Sequence, residues 1–170
     1  MLQRVLLSSL ILIATFLAQT VIVPHLSMAG VQPDLMLVVI VCFALTEGMN
    51  TGAVTGFFGG LLEDLVMANY MGFNMVTKTI IGAAASLLKN LGPKEGILWP
   101  LTAVFLASLI SSAMTALLAF LFGETVVVRS ILNWSMVPGA FYNVLFMPLV
   151  YPVFLKFREW QTHLSWAEGI

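Results

Sequence analysis

Long apolar segments follow one another along the whole of this 170-residue chain, separated by short polar turns. The first, from Val5 to Val23, is nearly unbroken. At about 1.5 Å per residue, a helix of this length can just cross a hydrocarbon core of roughly 30 Å. Only 9% of the residues are charged and 60% are hydrophobic, whereas soluble domains average about 25% charged and about 45–50% apolar residues. The sequence therefore predicts an all-α integral membrane protein.

The apolar segments predict about six transmembrane helices, packed as a compact bundle in a single polytopic membrane domain over residues 1–170. The expected spans are 5–23, 33–50, 52–68, 73–88, 97–122 and 131–157. The second span is short for a full crossing. The last span contains Pro138, Pro148 and Pro152, which we expect to kink or divide it. Neighbouring helices can satisfy the backbone groups that such prolines free.

A cleaved signal peptide is the competing interpretation of the first segment. Ser27, Met28 and Ala29 place small residues where a signal peptidase would need them. However, the apolar run is longer than the usual apolar core of a signal peptide, which has about 7–15 residues. We therefore expect the segment to be a retained helix.

The basic residues predict the orientation, because cytoplasmic loops are enriched in Lys and Arg. If the N-terminus is cytoplasmic, six crossings place most of the loop cations inside, namely Arg4, Lys89, Lys94, Lys156 and Arg158. Only Arg129 among the loop residues then falls outside. Both termini are therefore predicted to be cytoplasmic. The tail after Lys156, with Trp160 and Trp166, is typical of an amphipathic interfacial end.

Motifs of catalysis and of cofactor binding are missing from the sequence. The single cysteine is Cys42, the two histidines are His25 and His163, and there is no CxxC or HExxH motif. The nucleotide-binding GxxxxGK[ST] loop and the GxSxG elbow are absent as well. A net charge of −1 offers no basic patch for nucleic acid. We predict a protein that is not an enzyme, with no catalytic residue, no metal and no cofactor.

Three charged residues lie in apolar surroundings between positions 52 and 78. Glu63 and Asp64 lie near the end of the third predicted helix, and Lys78 lies near the start of the fourth. Counted from the turn between the helices, Asp64 is about 6 Å deep and Lys78 about 9 Å deep. The favoured interpretation is an ion pair between Lys78 and one of the carboxylates. Contact with a partner protein, or a transport or proton-relay role, are the alternatives.

The two carboxylates cannot share one partner, because adjacent residues of a helix point about 100° apart. One of Glu63 and Asp64 is therefore expected to reach another helix, a polar cavity or a second protein. The sequence does not decide which of the two pairs with Lys78.

Small residues predict close helix packing in the same stretch. Gly52, Gly56 and Gly60 recur every four positions and share one helix face. We expect this face to pack against residues 82–86 of the fourth helix, with a helix of another subunit as the alternative. Ala14 and Ala18 form a weaker version of the pattern.

Pro33 and Asp34 predict the start of the second helix. The fixed φ and missing N–H of Pro33 suit a first helical turn, and Asp34 would lie at the positive end of the helix dipole.

These motifs together resemble one family. Pro33-Asp34-Leu35 at the start of the second helix, the stretch GFFGGLLEDL from Gly56 to Leu65 and the Gly72-Phe-Asn74 turn resemble MreD, the rod shape-determining membrane protein. Length and hydropathy are similar along nearly the whole chain. The positions that match the family pattern are Asp34, Gly56, Gly60, Asp64, Gly72 and Asn74.

The resemblance implies a non-enzymatic role in the bacterial elongation machinery, in the cytoplasmic (inner) membrane. MreD-like proteins are thought to work with MreC, a single-span protein with a periplasmic domain. They act beside the transglycosylase RodA and a class B penicillin-binding protein, with the filament MreB on the cytoplasmic side. Since the loops are short, such partners would be met within the bilayer or just outside it.

A transport function is the alternative from a different class. Substrate-binding membrane components of energy-coupling-factor vitamin transporters are also small six-helix proteins, and the Ala14 and Ala18 pair resembles their docking motif. A lipid-modifying enzyme is a third, remote alternative, disfavoured by the missing motifs. A bound vitamin would favour transport, whereas a stable single-span partner would favour the shape-determining role.

Overall fold

The computed structural model describes residues 2–28, 30–67, 72–91, 96–131 and 135–167. Over these residues the chain is helical throughout, apart from turns and one isolated antiparallel bridge between Met28 and Val31. The helices are α1 (Leu2–Val21), α2 (Leu35–Glu47), α3 (Met49–Met67), α4 (Phe73–Ala85), α5 (Leu98–Leu121), α6 (Thr125–Ser130) and α7 (Met136–Ala167). Short 3-10 turns follow α1 at Val23–Leu26 and α4 at Ser86–Asn90.

The all-helical class predicted from the sequence is confirmed. Each expected span corresponds to one of the six long helices, and α6 is a single short addition before the last one. By length and composition, two of the described helices could cross a membrane, Leu98–Leu121 and the Met136–Lys156 part of α7. Val5–Val21 and Leu35–Glu47 are apolar as well but shorter.

Of the two outcomes expected for the last segment, a kink or a division, Pro148 and Pro152 do not cause a division, because α7 runs unbroken through both. Pro138 lies in its first turn, where the missing N–H removes no helical hydrogen bond. The interfacial tail predicted after Lys156 continues the helix backbone as far as Ala167. The side chains of Trp160 and Trp166 lie outside the described set.

The short helix α2 forms the centre of the bundle. All its side chains from Met36 to Thr46 are buried, and it packs against α1, α3, α4, α5 and α7. Phe43 meets Phe154 of α7 edge to face, with ring centroids 4.7 Å apart. A helix that is apolar on every side suits a position surrounded by other helices. Its 13 residues measure about 20 Å, less than a hydrocarbon core, but its sides meet protein rather than lipid.

Helices α3 and α4 form a tightly packed antiparallel hairpin. Each glycine of the predicted small-residue face lies against the backbone of α4: Gly52 against the carbonyl of Gly82, Gly56 against that of Lys78, and Gly60 against that of Asn74. A methyl group at any of the three would overlap a carbonyl oxygen. The glycine face therefore packs against a helix of the same chain. Its contacts on α4 reach from Gly82 to Asn74, well outside the predicted run 82–86.

This contact predicts that Gly56→Ala destabilises the bundle. The added methyl group would meet backbone atoms of Lys78 and Thr79, which cannot turn aside as a side chain could. We expect a loss of about 1–3 kcal/mol in unfolding free energy, measured by thermal unfolding in detergent. Gly139→Ala is the matched control, because a methyl group there would lie 3.8 Å from Val31 Cγ1, an ordinary contact. Equal stability of the two variants would contradict the packing argument.

Candidate functional site

Lys78 of α4 lies at the centre of the polar interior. Its side chain is 2% exposed, and its Nζ donates to Asp34 Oδ1 at 2.9 Å and to Glu63 Oε2. Glu63 belongs to α3 and is itself buried, at 4% exposure. One ammonium therefore links two carboxylates that come from two different helices.

Asp34 is the partner of Lys78 that the sequence pattern did not reveal. The two residues are 44 positions apart, and the pattern of the hairpin points only to Glu63 and Asp64. The predicted topology nevertheless contained a signal for this contact. If α2 begins at the end of the bundle where α3 and α4 are joined, Asp34 at its start lies at a level similar to that of Lys78.

Asp34 also begins α2. It is the N-cap residue, and its Oδ1 accepts the backbone N–H of Leu37 at 2.8 Å. Pro33 thus precedes the cap and is not in the first helical turn, where the sequence places it. Its carbonyl accepts a hydrogen bond from the side chain of Gln19, at 3.1 Å.

Asp64 is used differently from Glu63, although both are buried. Its carboxylate accepts the backbone N–H groups of Gly72 at 2.9 Å, Asn74 at 3.1 Å and Met75 at 2.9 Å. The side-chain amide of Asn74 adds a fourth bond at 3.0 Å. Asp64 therefore holds the start of α4, where free N–H groups and the helix dipole favour an anion. Of the two carboxylates that the sequence left open as partners of Lys78, Glu63 is the one bonded to it.

Gly72 supplies the turn that brings these N–H groups to Asp64. Its φ is +101°, a left-handed conformation that glycine adopts without steric cost. Because Asn74 contributes both a backbone and a side-chain bond, the Gly72-Phe-Asn74 turn and Asp64 form one unit. The residues 68–71 before this turn lie outside the described part of the chain.

A second set of bonds continues from Asp34 to the other side of the bundle. The backbone N–H of Asp34 donates to Asn143 Oδ1 of α7 at 2.6 Å. Asn143 Nδ2 in turn donates to Ser108 Oγ of α5 at 2.9 Å, and Ser108 donates to the carbonyl of Val104. Gln19 of α1 accepts from the backbone N–H of Leu35 at 2.8 Å.

We call these connected side chains the polar cluster. Each of the six long helices contributes one member: Gln19, Asp34, Glu63, Lys78, Ser108 and Asn143. The sequence pattern did not point to Gln19, Ser108 or Asn143 as members of such a cluster. An amide inside an apolar segment was the available signal, since such groups need hydrogen-bond partners within a membrane.

A cavity of about 180 Å³ adjoins the cluster. It lies between the segment before α2, the middle of α5 and the start of α7, and Asp34 and Asn143 form part of its wall. Its other polar lining residues are Gln32, three serines of α5 and Ser135. Among the described residues, no group of three or more His, Cys, Asp or Glu side chains could hold a metal ion.

Long apolar helices thus enclose a shared set of charged and amide side chains, and two of the described helices are long and apolar enough to cross a membrane. The family model of the rod shape-determining protein MreD matches residues 1–159. The chain therefore belongs to the MreD family, as its resemblance implied, and the match includes the second half, which carries few motifs. Neither the curated proteins nor the solved structures yielded a match. The family comprises structural membrane proteins of bacteria that act in the determination of rod shape.

The bridge at Lys78 predicts a large effect of Lys78→Met. The variant would leave the carboxylates of Glu63 and Asp34 close together without a cation, and removing one partner of a buried pair costs about 3–5 kcal/mol. We expect this loss in detergent unfolding experiments, together with reduced assembly. Lys156→Met, at an exposed position of α7, is the matched control. A Lys78→Met variant with unchanged stability and assembly would rule out a structural ion pair.

The cap at Asp64 predicts a local effect of Asp64→Ala. Three backbone N–H groups would lose their acceptor, at a cost of about 2 kcal/mol for the helix start. Hydrogen exchange followed by mass spectrometry should show that the substitution speeds exchange, relative to the wild type, more in residues 72–75 than in α5. Uniformly faster exchange over all helices would instead indicate that Asp64 supports the whole bundle.

Proposed function

We propose that this protein is a non-enzymatic membrane scaffold of the bacterial elongation complex, supporting peptidoglycan synthesis and cell shape. It crosses the inner membrane six times as one domain, with both termini in the cytoplasm. It binds a single-span MreC-like partner and holds it beside RodA and a class B penicillin-binding protein. MreB is reached indirectly, on the cytoplasmic side.

The polar cluster is the observation that carries this proposal. Its ionised groups satisfy one another, with Lys78 between Glu63 and Asp34, and Asp64 is occupied by the start of α4. Polar groups that join six helices at one level fix the relative positions of those helices. A rigid bundle is what a scaffold needs in order to present constant surfaces to several partners.

The proposed orientation places the cluster toward the periplasm. Asp34 begins α2, Glu63 lies near the end of α3, and Lys78 lies near the start of α4, so all three are close to the same end of the bundle. With the N-terminus in the cytoplasm, that end is the periplasmic one. It is also the side on which the soluble domain of an MreC-like partner would lie.

The lipid-facing helices offer the surface for a single-span partner. Large apolar side chains of α1, α5 and α7 are exposed, among them Leu10, Leu17, Leu117, Phe141 and Leu149. In a membrane, such a side chain can contact either lipid or another helix, and the gain on association comes from close packing. The partner's helix would replace lipid along one of these faces.

The cavity favours one alternative function, that of a substrate-binding component of a vitamin transporter. It lies beside the segment before α2 and the start of α7, both of which are toward the periplasm in the proposed orientation, where such a component would take up its substrate. The family match favours the scaffold, because the family is described by shape determination.

Site-specific photocrosslinking in native membranes tests the proposal. Photoreactive residues would replace Leu10 in α1, Phe58 in α3 and Phe141 in α7, which are all exposed. Buried Ile40 of α2 would serve as the control position that should capture nothing. We expect at least one exposed position to capture an MreC-like single-span protein in high yield. Capture of lipid alone, or a vitamin bound to the purified protein, would contradict the scaffold.

A further inference from the structure

The cavity beside the polar cluster has hydrogen-bonding groups that the fold leaves unused. Ser108, Ser111 and Ser112 all line it, and at spacings of three and four residues they share one face of α5. Ser108 is bonded to Asn143. The hydroxyls of Ser111 and Ser112 have no hydrogen-bond partner among the residues that the structure describes. Two free hydroxyls therefore line the same cavity.

Asp34 adds an unused acceptor. The bonds from Lys78 Nζ and from the N–H of Leu37 both end on Oδ1, and within the described ranges no hydrogen bond reaches Oδ2. The side chain is 30% exposed and belongs to the cavity wall. A single lysine serves both Asp34 and Glu63, so Asp34 shares its cation with a second carboxyl group. The described residues of the cavity wall include no Lys or Arg.

We propose that this cavity binds a basic side chain, a lysine or arginine carried by the periplasmic flank of the single-span partner. An ammonium has three N–H donors, and the cavity wall offers it the carboxylate oxygen Oδ2 of Asp34 and serine hydroxyl oxygens of α5 as acceptors. The proposal rests on the proposed function for the partner and for the side of the membrane. It goes further by naming where the partner is held and by which chemistry.

The lining favours a basic side chain over an aminophospholipid. In such a lipid a phosphate follows the amine after two carbons, and among the described residues of the cavity wall there is no Lys or Arg to receive it. A lysine instead carries its charge on a four-carbon apolar stem. Val31, Leu37 and Ala140 offer apolar wall for that stem.

The test compares substitutions at one position of the cavity wall. Ser112→Lys would supply an internal ammonium to Asp34 and occupy the cavity, whereas Ser112→Ala would leave it open. Each full-length variant would be purified in detergent and its affinity for the purified MreC-like partner measured. We expect Ser112→Lys to weaken binding by at least about tenfold and Ser112→Ala by much less. Gly139→Met would fill the cavity from α7, should Ser112→Lys fail to fold.

A scan of the partner would then identify the bound group. Each Lys or Arg next to its membrane span would be changed to Gln. One of these changes should weaken binding to the wild-type chain by a similar factor, and should cause no further loss with Ser112→Lys, because both remove the same contact.

The outcomes separate this proposal from the proposed function. A wild-type chain that does not bind the partner would overturn the proposed function itself. Wild-type affinity in folded Ser112→Lys and Gly139→Met variants would overturn the cavity proposal and leave the scaffold intact. Native mass spectrometry covers the remaining case: an aminophospholipid lost from Ser112→Lys, with partner affinity unchanged, would make lipid the occupant and overturn the proposal.

Discussion

The arrangement of much of this structure follows from a single ammonium group, that of Lys78, inside the bundle. A lone buried charge is costly in a medium of low dielectric constant, and within a membrane it must be paired or reach water. Lys78 meets this requirement with two carboxylates, one from the neighbouring helix and one from the start of α2. Asp34 must then be held in place as well, and Asn143 and Leu37 take part in doing so. The remaining contacts of the cluster follow from satisfying that one cation.

Glycines and charges have complementary roles in the α3–α4 hairpin. The glycines let the two backbones approach until Gly52, Gly56 and Gly60 touch carbonyl groups of α4. Such contacts depend on short-range packing of the two backbones. The bonds of Glu63 and Asp64 to α4 are directional and fix one register. Close approach and register are therefore supplied by different residues, which explains why both patterns occur in one short stretch.

Local features of the fold could be predicted from the sequence, whereas long-range contacts could not. Apolar segment length predicts the helices, and residue spacing predicts the glycine face. Counting depths from a shared turn places Lys78 at a depth similar to that of Asp64, but does not decide whether Asp64 or Glu63 pairs with it. The bonds from Asp34 to Lys78 and to Asn143 join residues 44 and 109 positions apart, and no periodicity relates such residues. The cavity could not be predicted either, because its walls come from three separate parts of the chain.

The central position of α2 has a consequence for the order of assembly. During synthesis α2 follows α1 directly, yet its sides are covered by helices that emerge later, the last being α7. Until Asn143 arrives, the N–H of Asp34 lacks its acceptor, and the Phe43 ring lacks Phe154. The second helix to leave the ribosome is thus among the last to reach its final surroundings. In chains that end before α7, part of the surface of α2 would remain uncovered, and membrane quality-control proteases could recognise it.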